Sequence, residues 1–461
     1  MRAALLQLSL LLPSLLVGGA EPLPIDPLWK SESFRKSVTA SYGIDSRIEP
    51  RITEDEAFYL DQSAEAMAGE DRAKAIEVLR RSSLLEDSPA MRFTLATLLF
   101  ETGEPADAEE SMKQFESALE SFPNFRDAHR NLGVVLIRLG REEEARGHLV
   151  RALSLGSQDG LTAGLLAYCH ARDGHHQAAL DAYRLALITQ PDESQWLLGE
   201  AQALMALERP REAASVLQSL IAASPDNSPA WLFQADAWID QGEELRAAAN
   251  LEIAYRKGAL EADAIASLGH LYVQHGLADL AMERYEIAVH REPRLSTSRV
   301  VEIVEQFVAS SDWGRAKTVK GWIEASPFHR EALSPESGDR ELVSRYTRAR
   351  AVLELESGDT AAGAKLVEDW IRREPLDGLA LLLLARFREE AGQTIEAAML
   401  LEQAARIPKS AAPAHLAHGR LLVAAGDYQS ALEHLEKSQE LNPTESLARY
   451  VTAIRDLSGL K

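Results

Sequence analysis

Residues 264–293 read AIASLGHLYVQHGLADLAMERYEIAVHREP. In the first half, Ala264, Leu268, Leu271 and Tyr272 recur at helical spacing and form one apolar stripe. Gly276 ends that helix, because a glycine enters the left-handed turn a helix terminus needs without steric cost. In the second half, Ala281, Tyr285 and Ala288 form another stripe, which Pro293 stops. The stretch predicts a hairpin of two short amphipathic helices. One such hairpin cannot bury its apolar face alone and needs a neighbour of the same kind.

The neighbours are present at a fixed period. Gly133, Ala167, Ala201, Ala235 and Gly269 are each 34 residues apart (167−133 = 34, and so on). Twelve residues after each comes a second small residue: Ala145, Ala179, Ala213, Ala247 and Ala281. Four further on is a larger apolar one: Leu149, Tyr183, Leu217, Leu251 and Tyr285. Small side chains let antiparallel helices approach, and the larger ones fill the space beside the crossing.

This pattern resembles the tetratricopeptide repeat. The match is carried by Leu132-Gly133, Leu166-Ala167, Leu268-Gly269 with Tyr272, the small and large positions above, and the closing prolines Pro191, Pro225 and Pro293. The resemblance spans roughly Thr53 to Gly459. It implies an all-α protein, an α-α superhelical solenoid of about ten hairpins.

The edges are less regular. Leu95-Ala96, Gly103, Phe115, Ala118 and Pro123 form an earlier unit with about three extra residues at its turn, and Ala75, Leu79 and Ser82 suggest one before it. A unit around Ile303 keeps the period but has Arg315 where a small residue belongs, with Ala316 one place late. The next small residue in phase is Ala351, 14 residues beyond one period (351−303−34 = 14). The surplus falls at 328–341, rich in Pro, Ser, Gly and charge, and reads as an exposed loop. The phase resumes at Ala351, Ala385 and Gly419, and Glu445–Leu457 reads as a final capping helix. The expected organisation is therefore 1–20 a signal peptide, 21–52 an extended arm, 53–327 a first repeat block, 328–341 the loop, and 342–461 a second block.

The signal reading rests on Arg2, the apolar run Ala3 to Val17, and Gly18-Gly19-Ala20. An uncleaved anchor is the alternative. No later stretch is apolar enough to span a bilayer, so the mature chain is expected outside the cytoplasm, periplasmic or secreted. The arm carries Pro22, Pro24, Pro27 and Pro50 with Trp29, Phe34 and Tyr42. Those aromatics either pack on the first hairpin or dock in a partner or in the protein's own groove. Thr53-x-x-Glu56 is a capping box that opens the first long helix.

A hydrophobic fraction of 46% is that of an ordinary folded chain. The formal charge of −22 argues against nucleic acid, which needs a basic field. Cys169, the one cysteine, rules out an internal disulfide. No zinc-protease, phosphate-loop or nucleophile-elbow motif occurs, so no catalytic residue and no cofactor is assigned. His170, His175 and His176, and the pair His415 and His418, have the chemistry for a metal, but the second pair occupies packing positions of the repeat, and no metal site is assigned.

In the resembled family the first helix of each repeat lines a concave groove that binds proteins or peptides. Positions three and two before the register residue, and one, four and five after it, face that groove. Carried onto this sequence they give Arg130, Asn131, Arg138, Tyr168, Arg172, Gln202, Met205, Phe233, Asp236, Asp240, His270, Gln274, Arg348, Arg386 and Arg420, with Gln195 and Arg345 as further candidates. Arginine, aromatic and amide groups suit peptide recognition. The expected function is a non-enzymatic scaffold for a protein or peptide partner, with an envelope assembly or secretion complex as the setting that compartment and family analogy suggest. The alternative is a hydrolase or metal-dependent enzyme with an unrecognised site.

Overall fold

The computed structural model describes residues 45–459, apart from 292–293, 335–338 and 357–359. Residues 1–20, expected as a signal peptide, and most of the expected arm lie outside the described residues. Every regular element among the described residues is a helix. The chain divides into two compact units, with the boundary between Leu260 and Glu261.

The first unit is six hairpins. They are α1 (Glu54–Ala68) with α2 (Arg72–Arg80), α3 (Pro89–Phe100) with α4 (Pro105–Ser121), and α5 (Arg126–Arg138) with α6 (Glu142–Ser154). Then come α7 (Gly160–Arg172) with α8 (His176–Thr189), α9 (Ser194–Ala206) with α10 (Pro210–Ala223), and α11 (Ser228–Asp240) with α12 (Glu244–Arg256). Each second helix packs on the first helix of the next hairpin, and successive first helices touch directly. The result is a solenoid with one layer of first helices and one of second helices.

The second unit holds five more hairpins. They are α13 (Ala262–Gln274) with α14 (Ala278–His290), and α15 (Thr297–Ala309) with α16 (Trp313–Ala325). After the short α17 (Pro327–Ala332) come α18 (Arg340–Glu356) with α19 (Thr360–Arg373), α20 (Gly378–Glu390) with α21 (Thr394–Ala405), and α22 (Ala411–Ala424) with α23 (Tyr428–Leu441). The last helix, α24 (Glu445–Ser458), packs on α23.

The stretch 328–341, expected as an exposed loop, is corrected in part. It begins inside α17, which Pro327 starts and Ser326 caps. His329 is buried there, with its Nδ1 2.9 Å from Thr297 Oγ1. Beyond it α18 packs on α15 and α16. The unit around Ile303 is also one residue later than expected. Its turn residue with positive φ is Ser311, and its second small residue is the fully buried Ala316. Both count back to Val304 (311−7 and 316−12 both give 304).

The register positions do what close approach requires. A Cβ added at Gly133 would lie 2.7 Å from Leu149 Cδ2, at Gly269 2.5 Å from Tyr285 Cε1, and at Gly419 2.6 Å from Leu435 Cγ. Two other glycines serve the contact between hairpins. Gly164 leaves room for the Trp196 indole, and Gly199 for the Tyr183 ring. Seven residues after the register position the chain turns in the left-handed region, at Gly103, Gly140, Gly174, Gly242, Gly276, Gly392 and Gly426. Glu70, Glu208 and Ser311 adopt the same φ without being glycine.

Buried polar groups are tied into this packing. Tyr285 Oη donates to Gln306 Oε1 at 2.7 Å and accepts from His270 Nδ1, which links α13, α14 and α15. Two histidine pairs occupy equivalent places, four residues before and fifteen after a register glycine. His129 and His148 bring their Nδ1 atoms to 3.0 Å, and His415 and His434 to 2.9 Å. His129 Nε2 donates to the Pro123 carbonyl at 3.0 Å. In its neutral form its Nδ1 therefore accepts, and His148 must donate from its own Nδ1.

Burial, and then the charge of its partner His129, hold His148 down to about 4. Burial does the same at His434, helped by His418 and His415, and at His270, helped by Arg299.

These contacts generate two predictions. Gly269→Leu should lower unfolding stability by about 1–3 kcal/mol through overpacking. Gly147→Ala, on an exposed helical face with nothing within 4 Å, should instead raise it by roughly 0.5–1 kcal/mol; urea unfolding followed by circular dichroism measures both. The second prediction concerns pH. An unfolded histidine takes up its proton near its ordinary value of 6.5, whereas folded His148 does so only at about 4. The unfolded chain therefore binds more protons in that window, and the stability His148 contributes is whole above it and lost as pH falls through it. The urea midpoint should fall between about pH 6.5 and 4 in the unaltered chain, and fall less steeply in His148→Leu.

Candidate functional site

The first helices of residues 45–260 offer one face built from positions that repeat every 34 residues. Each contributes a few polar or aromatic side chains on either side of its register residue. On α5, Arg130 and Asn131 are 8% and 1% exposed, and Arg130 Nε donates to Asn131 Oδ1 at 3.0 Å. The Arg130 guanidinium also lies 3.7 Å from Asp127 and 3.8 Å from Asp159 at the start of α7. Arg138, at the exposed end of α5, reaches back to α3, where its guanidinium lies over the Phe100 ring and donates to the Gly103 carbonyl at 3.0 Å.

On α7, Tyr168 is half-buried against the core and Arg172 is exposed, 3.5 Å from Glu142. On α9, Gln195 and Met205 are half-buried, and Gln202 is 9% exposed. On α11, Phe233 belongs to the core, Asp236 is 7% exposed, and Asp240 is exposed. The candidates of this unit thus share one helix layer but differ in access. Arg172 and Asp240 are exposed and Tyr168, Gln195 and Met205 half-buried, whereas Arg130, Asn131, Gln202, Phe233 and Asp236 are buried.

The candidates of the second unit are mostly structural. His270 is 3% exposed and bonded to Tyr285. Arg345 makes two bonds to the Glu305 carboxylate, at 3.1 and 2.6 Å. Arg348 lies over the Trp370 ring and 3.5 Å from Asp377. Arg386 bridges Glu356 and Glu390 at 2.8 and 2.9 Å. Gln274 and Arg420 are exposed. Arginines expected to receive a ligand are here largely employed in joining one hairpin to the next. Spacing alone does not reveal this, because the partner carboxylates on other hairpins lie 29 to 40 residues away.

Among the described residues no group of three or more His, Cys, Asp or Glu side chains could hold a metal ion. Cys169 is buried, and its thiol is pushed up to about 12 by burial and by Glu142 and Asp173, so it stays protonated and unreactive at neutral pH. Among the described residues no helix is long and apolar enough to cross a membrane.

One contact was not legible from motifs. Asp45–Pro50 is tied to α5, in the third hairpin. The Arg126 backbone N–H at the start of α5 donates to the Ile48 carbonyl at 3.3 Å. Glu49 is 4% exposed, 3.6 Å from the Arg126 guanidinium, and Pro50 is buried. The expected capping box does form, with Thr53 N–H donating to Glu56 Oε2 at 2.6 Å.

No curated protein matches the sequence. Family models described as tetratricopeptide repeat match residues 93–160, 170–237 and 412–445. Similar solved structures include a tetratricopeptide repeat protein from Parabacteroides merdae ATCC 43184, 17% identical, covering 50% of this chain and 91% of that one at a TM-score of 0.38. PilF from Pseudomonas aeruginosa is 17% identical, with 44% and 92% covered and a TM-score of 0.38. MamA from Desulfovibrio magneticus RS-1 is 19% identical, with 36% and 95% covered and a TM-score of 0.35. The matched segments fall on hairpins whose register residues and turns obey the repeat, so the chain carries tetratricopeptide repeats at residues 93–160, 170–237 and 412–445.

Proposed function

We propose that this protein is a non-enzymatic scaffold that binds an extended polypeptide along the first-helix face of residues 45–260. The observation that carries this reading is the unbroken layer in which α1, α3, α5, α7, α9 and α11 each touch the next, bringing Tyr168, Arg172, Gln195, Met205 and Asp240 onto one face. A half-buried tyrosine is an anchor with little rotamer entropy left to lose, and the amide and charged groups around it supply directional bonds. Such a face recognises by shape and hydrogen bonding, with no bond chemistry in the bound polypeptide.

We further propose that it acts outside the cytoplasm, exported by residues 1–20, and that an envelope assembly or secretion complex is its setting. The support is the charged start, apolar core and small residues of that segment.

Two measurements check these readings. Tyr168→Ala combined with Asp240→Arg should reduce retention of co-purifying polypeptides at least tenfold in a chain that circular dichroism shows to be still folded. Ile188→Ser, at a 76% exposed position on α8, should leave retention unchanged; equal retention in all three chains would remove the face from consideration. If export is right, the intact mass of the protein recovered from the extracytoplasmic fraction should lack residues 1–20.

A further inference from the structure

The course of Asp45–Pro50 bears on what fills the first-helix face. Thr53 opens α1 in the first hairpin, yet Ile48, five residues earlier, is already bonded to α5 in the third. Followed backwards from Thr53, the chain therefore leaves its own hairpin and travels along the stack. The anchorage at that point is substantial. The Ile48 carbonyl receives an N–H from the first residue of α5, and Glu49 is buried beside Arg126. The turn is closed by Glu49 N–H donating to the Asp45 carbonyl at 2.9 Å.

Ahead along the same direction lie α7, α9 and α11. Polar side chains at the candidate positions there and on α5 are nearly inaccessible: Asn131 is 1% exposed, Arg130 8%, Asp236 7% and Gln202 9%. A face left open to water would leave long polar side chains largely solvated.

We propose that the chain's own residues 28–44 occupy this face, so that the binding surface of the first unit is filled by an internal ligand until a partner displaces it. This rests on the reading of the face given above and adds its regulation. Reach is sufficient. Seventeen residues (44−28+1) extend to about 60 Å at roughly 3.3–3.6 Å each, and three further hairpins at helix spacings of about 10 Å need only about 30 Å.

The chemistry also fits. Trp29, Phe34 and Tyr42 are the anchors an interface of this kind uses. The segment carries Lys30, Arg35 and Lys36 against Glu32, a net +2 in a chain whose total is −22. A positive strand is attracted to a body that acidic, and Asp127, Asp236 and Asp240 lie on the helices it would cross.

The test uses the full chain and a fluorescent synthetic peptide of residues 28–44. If the face is filled internally, the variant Trp29→Ala, Phe34→Ala, Tyr42→Ala should bind the peptide at least tenfold more tightly than the unaltered chain, and adding Tyr168→Ala should abolish that gain. Amide exchange of residues 28–44 should be slowed in the unaltered chain and fast in the triple variant. Equal peptide affinity for the two chains, or unprotected amides at 28–44 in the unaltered one, overturns the proposal. Should that happen while Tyr168→Ala with Asp240→Arg still loses the co-purifying polypeptide, the face binds a foreign partner and the internal ligand alone is wrong.

Discussion

Everything in this molecule depends on one steric constraint: at each crossing, one helix offers almost no side chain so that the other can insert a large one. Gly133 against Leu149, Gly269 against Tyr285 and Gly419 against Leu435 are the same contact made three times. The axes are brought together at one point of each hairpin, and the apolar stripes on either side then meet. The left-handed residue seven places on, Gly140 or Gly276 for example, fixes where the second helix starts. Because both devices are local, each hairpin is specified by about a turn and a half of sequence on either side of its crossing. Its remaining apolar surface is left for the neighbouring hairpin to cover.

What makes hairpins cohere is a second set of contacts with a different chemistry. Trp196 fills the space over Gly164, Tyr183 that over Gly199, and the Trp196 indole N–H is satisfied by Gln190 Oε1 at 2.8 Å. Polar links do the same in the second unit, through Tyr285, His270 and Gln306 and through Arg345 with Glu305. Such links are worth little when exposed and more when desolvated. They therefore contribute chiefly to the choice of neighbour and register, while the apolar contacts supply most of the free energy. The histidine pairs are an unusual version. Each supplies one hydrogen bond between two neutral rings in place of an apolar contact, and so ties packing to pH.

Most of the fold could be read before the structure, because the period depends on residue size and that is visible letter by letter. Gly269, Ala281 and Tyr285 announce their roles by spacing alone. Where the signal failed, a local rule was replaced by a tertiary one. A one-residue addition before α15 moved its register to Val304, which the late Ala316 and the turn at Ser311, not a glycine, disclose. The helix α17 is hidden by a composition that mimics a loop, yet His329 finds Thr297 32 residues away. The candidate site was legible as a face but not as a set of ligands. Arg130, Arg345 and Arg386 have the residue type expected of a peptide-binding position, and their carboxylate partners come from neighbouring helices that no local pattern connects to them.

This employment of the arginines changes how the face can work. A guanidinium that already bridges two hairpins is not free to follow a ligand, so recognition falls to the half-buried aromatic and amide groups between the bridges, and the surface is stiff before anything binds. Stiffness favours affinity, since little order remains to be imposed. It also favours unwanted occupants. A tethered segment acts at an effective concentration on the order of millimolar. Even a weak internal ligand, with an intrinsic Kd of about 10 μM, would then reduce a competitor's apparent affinity by roughly a hundredfold. A rigid repeat face is thus discriminating only if something modest already covers it. The anchorage of Ile48 and Glu49 on α5 is the tether from which the proposed internal ligand would act.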